Sequence, residues 1–180
     1  MNKVQTDNSY FDAKVKLRID HLPNKKSLNV LDLFGGDGLI WNEIIKQTGK
    51  NISVLRMDVK SDKPGVYLKG DNTKFLKLMD LKQFDIIDVD AYGVPFKQLK
   101  IIFQKKYKGL IFITYIQSVF GRLPKQMLFE LNYTERMIQK IPTMFNRDGI
   151  EKLKNWMSLY SIKKCKRISF QNKHYLVINY

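Results

Sequence analysis

Cysteine is almost missing from the chain. One residue, Cys165, in 180 leaves no partner for an internal disulfide and no thiolate set for a zinc cluster. Histidine is nearly as scarce: His21 and His174 are the only two and neither sits in a motif, so surface or packing roles are expected and no metal site. No apolar run approaches the length that spans a bilayer, and the opening Met1 to Asp7 is polar rather than a signal sequence. These absences predict a cytoplasmic protein with no membrane partner. Internal repeats and low-complexity tracts are also lacking. Negative charge is in short supply: 17 acidic residues face 32 basic ones, leaving +15, and residues 121–180 hold 12 basic against 4 acidic. Such a surplus favours polyanions through counterion release, nucleic acid first among them. A lysine-rich surface without a partner is the alternative on charge alone.

What is present is a globular composition, 44% hydrophobic and 12% aromatic, in a length that suits one domain over 1–180. Apolar strand-like runs alternate with helical spacing, which predicts an α/β fold with a doubly wound sheet. Phe11, Val15, Ile19 and Leu22 recur at helical spacing, so residues 9–22 are expected to form a covering helix capped by Ser9 and Asp12. Strands are expected at 28–33, 52–58, 66–69, 84–89 and 109–115, with helices at 38–48, 73–80, 96–106 and 149–159. Residues 160–170 and 173–180 read as a closing hairpin turned at Gln171-Asn172, where Asn tolerates left-handed geometry.

The organising stretch is Val30-Leu-Asp-Leu-Phe-Gly-Gly-Asp-Gly-Leu-Ile-Trp41, read as strand, tight turn, helix. Glycines there allow a positive φ and let a ligand approach the backbone. The helix opening near Gly38 points free N–H groups into the crevice, and Asp32 adds an acid beside them, a combination suited to a zwitterion. The spacing is not the GxGxxG of dinucleotide binders. Asp58, about 20 residues past the loop at the end of the next strand, is placed to accept hydrogen bonds from ribose hydroxyls. Asp71 and Asn72 precede a helix, where either could serve as its cap.

Asp32-x-Phe34-x-Gly36-x-Gly38 resembles the first motif of the Rossmann-like S-adenosylmethionine-dependent methyltransferases. The resemblance implies that Asp32, Phe34, Gly35, Gly36 and Gly38 hold the methionine end of that cofactor. It also implies that Asp71, with Asn72 adjacent, lies at the adenine amino group, and that the sheet has seven strands, mostly parallel, with strand seven between five and six.

Phe84-Asp-Ile-Ile-Asp-Val-Asp-Ala-Tyr-Gly-Val-Pro95 ends a buried strand in acid, small residue, aromatic and glycine, at the sheet end where ligands bind. Asp90-Ala91-Tyr92-Gly93 resembles the fourth motif of methyltransferases acting on exocyclic amino groups of bases, and the longer run is similar to that of the tRNA guanine N2-dimethyltransferases. Alanine replaces the proline after the acid, and the chain is shorter than those tRNA enzymes. By this likeness Asp90 and Tyr92 are the catalytic candidates, with Ala91 and Gly93 on the substrate side. A carboxylate at Asp90 and a carbonyl at Ala91 can accept both N–H bonds of an amine, while Tyr92 stacks on the base. Asp88, on the same nominal face, is expected in a structural or cofactor-side role.

Residues 121–147 break the alternation, mixing Arg122, Lys125 and Arg136 with Phe129, Tyr133 and Phe145, as an insert near the substrate crevice would. An ordinary amphipathic helix pair has the same pattern. The reading is therefore a methyltransferase of a nucleobase amino group, RNA favoured over DNA, with tRNA modification the nearest likeness. The alternatives are a DNA base, a small-molecule or protein amine, and a basic nucleic-acid-binding module without turnover.

Overall fold

The computed structural model describes residues 10–117, 123–141, 143–162 and 164–179. Its centre is a seven-stranded sheet in the order β3-β2-β1-β4-β5-β7-β6. β1 (Ser27–Asp32), β2 (Asn51–Asp58), β3 (Leu68–Lys69), β4 (Ile86–Asp90) and β5 (Leu110–Ile116) pair in parallel. β7 (Lys173–Asn179) enters antiparallel between β5 and β6 (Cys165–Phe170).

Alternation along the strands sorts side chains to two faces. Leu31, Ile87, Val89, Ile111 and Ile113 belong to one core, covered by α3 (Asn72–Leu78), α4 (Phe96–Gln104) and α7 (Phe145–Ser158). Val30, Ile86, Phe112, Tyr175 and Val177 belong to the other, covered by α1 (Phe11–Ile19) and α2 (Leu39–Thr48). Chain order reverses between β1 and β4, and the crevice outside a parallel sheet opens at such a reversal. There the register sets Asp32 beside Asp88, and Asp90 beside Thr114.

Several boundaries move. α1 runs from Phe11 to Ile19, shorter than 9–22, because Tyr10 adopts left-handed backbone (φ 62°) and cannot continue the helix; Ser9 lies outside the described residues. α7 starts at Phe145, so the Asn146-Arg147-Asp148 stretch expected to end the insert is its first turn. β3 keeps only Leu68 and Lys69. Within the insert, α5 (Lys125–Glu130) and α6 (Glu135–Lys140) form a short helix pair. In the closing hairpin the left-handed residue is Gln171 (φ 51°), not Asn172. β6, which carries Lys164, Lys166 and Arg167 on or beside it, is the sheet's edge. No helix among the described residues is long and apolar enough to cross a membrane.

Candidate active site

The loop from Leu33 to Gly38 and the tip of β4 open onto one cleft. Asp32, Phe34, Gly35, Gly36 and Asp37 form one wall, Leu39 and Ile40 of α2 the next, Asp90 of β4 the third, and Phe11 and Lys14 of α1 close it around about 70 Å³. Asp32 is 5% exposed, and its Oδ1 accepts from the Phe34 N–H at 3.2 Å. Gly38 begins α2 at φ 76°, the left-handed region that favours glycine. Gly35 is needed for a different reason: a Cβ there would meet Cβ and Cγ of Arg56 at 2.8 and 2.9 Å. Arg56, Asp32's neighbour on β2, lies beneath the loop and donates from Nη1 to the Gly36 carbonyl at 3.4 Å and from Nη2 to that of Pro64. Lys63 pairs with Asp37 at 2.9 Å, so the segment after β2 is tied to the glycine turn twice.

Asp90 faces the cleft with a carboxylate already held. Lys14 Nζ lies 2.9 Å from Oδ1 and 3.0 Å from Oδ2, and Thr114 Oγ1 donates to Oδ1. Burial works to raise its pKa, yet Lys14, Arg18 and Thr114 together hold it below the ordinary carboxylate value. Asp32 goes the other way: burial, then the charges of Asp88 and Asp90, push it well above that value.

Of the two roles expected of Asp88, structural or cofactor-side, its surroundings fit the structural one. Its side chain is sealed in the core, gripped by Arg18 through Nε and Nη2 at 2.7 Å each and by Trp41 Nε1 at 2.9 Å. Burial raises its pKa, opposed chiefly by Arg18. It is a structural acid.

Asp58 ends β2, its Oδ1 accepting from the Lys60 N–H at 2.8 Å, and the neighbouring Met57 carbonyl accepts from Gly35 N–H at 3.0 Å. The acid is thus beside the loop, outside the small cleft. Asp71 caps α3: Oδ1 accepts from Thr73 N–H at 2.8 Å and from Thr73 Oγ1 at 2.6 Å, the Thr73 hydroxyl bond being the main reason its pKa falls. Asn72 is buried, donating to the Leu33 carbonyl at 2.8 Å and accepting from Gln98 Nε2 at 2.8 Å, so it supports the loop from behind. Ala91 is buried, Gly93 (φ 127°) accepts from Ile116 N–H at 2.9 Å, and the Tyr92 side chain stands out, 67% exposed.

The described cations of the insert, Lys125 and Arg136, are not in the cleft. Lys125 pairs with Glu135 at 3.0 Å on the surface, and Arg136 is exposed on α6. Arg122 lies outside the described residues. His174 is a packing residue, bonded to Ser169 Oγ at 2.8 Å and Gln117 Oε1 at 3.2 Å. Among the described residues no group of His, Cys, Asp or Glu is arranged to hold a metal ion.

Lys14, Arg18 and Thr114 are the residues that the sequence reading missed. A signal existed. Lys14 and Arg18 are four apart on a helix, a rise of about 6 Å, and Asp88 and Asp90 are two apart on a strand, about 6.6 Å. Run antiparallel, the two pairs match in spacing: Lys14 meets Asp90 and Arg18 meets Asp88.

A methyltransferase from Archaeoglobus fulgidus described as SAM-dependent superposes with TM-score 0.61 at 15% identity over 98% of this chain and 96% of that one. The fold is that of the Rossmann-like methyltransferases. A ribosomal protein L11 methylase from Lactobacillus delbrueckii subsp. bulgaricus matches with TM-score 0.60 at 16% identity, over 97% of this chain and 80% of that one. A protein from Clostridium thermocellum described as a putative rRNA-methylase matches at 0.55 and 12%, over 98% and 97%. The methyltransferase fold thus serves a protein acceptor in one neighbour and is assigned an RNA acceptor in another. No protein-family model matches the sequence, and no curated protein matches it.

Proposed function

We propose that the chain is an S-adenosylmethionine-dependent methyltransferase of an exocyclic amino group on a nucleobase, in RNA before DNA, working in the cytoplasm. The observation that carries the reading is the shared cleft: the glycine loop, Asp32 and the tip acid Asp90 line one space. Three acids, Asp32, Asp37 and Asp90, line it against two cations, Lys14 in the cleft and Lys63 paired with Asp37. That set is one negative charge in excess when all are ionised, which fits a cationic sulfonium with its ammonium group. Asp32 and the amides of the Phe34 to Gly38 turn would hold the methionine end, with Asp58 at the ribose and Asp71 at the adenine edge. When bound, the cofactor supplies a methyl group activated on sulfur.

The protein's part is to place and prepare the acceptor. An exocyclic amine is a weak nucleophile because its lone pair is delocalised into the ring. A carboxylate offers about four acceptor sites. Lys14 and Thr114 take up Oδ1, while among the described residues Oδ2 meets Lys14 and keeps a site for an N–H of the amine. With the Ala91 carbonyl accepting the second N–H, the nitrogen is drawn toward a pyramidal, more nucleophilic geometry, and Asp90 stands ready for the departing proton. The exposed Tyr92 ring offers a stacking surface for a base taken out of its helix.

The test is nucleoside mass spectrometry on total RNA, genomic DNA and simple amines after incubation with the protein and methyl-labelled cofactor, with calorimetry of cofactor binding alongside. An N-methylated base in RNA is expected, lost in Asp90→Ala at least a hundredfold while cofactor binding persists, in the usual range for a group active in proton transfer. Label in DNA or in an amine moves the acceptor. RNA binding with no cofactor heat leaves a nucleic-acid-binding module of the same fold.

A further inference from the structure

We propose that Lys14, on α1, is a positioning residue for Asp90, holding the carboxylate against Thr114 so that Oδ2 keeps its open side toward the cleft. The proposal rests on Asp90 acting as described above. Both partners are enclosed, with side-chain exposures of 11% for Lys14 and 15% for Asp90, so water screens their attraction little. Lys14 is itself aligned, its Nζ 5.6 Å from the centre of the Tyr175 ring. One turn later Arg18 clamps α1 to Asp88, so the helix that carries Lys14 cannot rotate away without exposing a second buried pair.

The charged and titratable groups around Asp90 are Lys14 and Arg18 from α1, Asp32 from β1, Asp88 from β4 and Tyr175 of β7 beside Lys14, with the Thr114 hydroxyl from β5. Arg18 is committed to Asp88 by two bonds, and the two other acids repel a charge on Asp90. Lys14 is therefore the cation that keeps this carboxylate an acceptor. Without it the carboxylate loses its nearest opposite charge and the contact that fixes its orientation, and its affinity for a proton rises.

The experiment uses the full chain labelled with 13Cγ aspartate, the Asp90 signal being assigned by its loss in Asp90→Asn. Its titration is followed by NMR in the wild type, Lys14→Met and Lys14→Arg, with thermal melts, cofactor calorimetry and methyl transfer to the RNA pool in parallel. The wild-type midpoint is expected below that of ordinary aspartate, Lys14→Met is expected to raise it by about one pH unit or more, and Lys14→Arg to restore it. Methyl transfer by Lys14→Met at saturating cofactor is expected to fall at least tenfold in kcat, and Lys14→Arg to restore it. A folded Lys14→Met protein whose Asp90 midpoint does not move overturns the proposal. So does a wild-type midpoint at or above the ordinary value, which needs no variant to fold. If the midpoint shifts as stated but no cofactor binds and no methyl is transferred, the methyltransferase reading falls while the coupling of Lys14 to Asp90 stands.

Discussion

Asp32 and Asp90 are acids at neighbouring strand tips, yet their surroundings drive them apart. Asp90 has Lys14 within 3.0 Å, whereas Asp32 has one amide bond and two acids for neighbours. A cation entering the cleft favours ionised Asp32. Below the raised pKa of that acid the cation must displace a proton, so cofactor affinity should climb as pH rises through that value and then level off. Asp90, held low, is already ionised in that window and adds no slope. Calorimetry over a pH series that starts near the ordinary aspartate value and continues upward until affinity levels off should show this rise, and Asp32→Asn should flatten it. Gly35 gives a second prediction. Gly35→Ala sets a methyl group against Arg56 and should cost about 1–3 kcal/mol in urea unfolding, as overpacking does; the Gly35→Ala/Arg56→Gly pair, which removes the Cβ met at 2.8 Å, should show a smaller increment for the alanine than the single change does. That cause was hidden in the sequence, where Gly35 reads as a ligand-approach glycine; Arg56 lies 21 residues away and is brought in by strand pairing.

Among the elements, α1 carries more than its length suggests. It is an anchored wall of the site, held by a buried two-bond ion pair and a second pair at the cleft. Removing one partner of a buried pair strands the other charge, so Arg18→Met should destabilise the protein by about 3–5 kcal/mol, and Arg18→Met/Asp88→Asn should regain a good part, both measured by urea unfolding. The strands were legible because β-branched and apolar runs can be little else, and the turn at Gly36 to Gly38 because few residues tolerate its backbone. The role of α1 was not. Lys14 and Arg18 read as a solvent face because most helical cations are solvated, and nothing local marks acids 70 and 76 residues away as their partners. Asp71 shows the opposite limit: a capping acid and a ligand-binding acid have the same sequence signature, and the structure shows the cap.

For the whole molecule, the +15 net charge bears on how the RNA of the proposed function would be held rather than on which RNA. Binding to a single-stranded RNA should weaken with salt, the log–log slope being about 0.7 for each phosphate neutralised. Fluorescence anisotropy over a salt series measures it, and a slope near zero would make the surplus a solvated lysine surface. Sheet order was readable because alternation, two glycine-marked turns and a closing hairpin leave few topologies. The ion pairs that join α1 to β4 also set a timetable for biosynthesis. α1 leaves the ribosome before β4, but at nine residues it is below the ~12–15 at which a lone helix persists in water. Its acids emerge 70 or more residues later, a delay on the order of seconds at ordinary translation rates. Through that interval the α1 segment is an unfolded basic peptide with apolar Phe11, Val15 and Ile19 uncovered, a ready client for chaperones until β4 arrives to dock it.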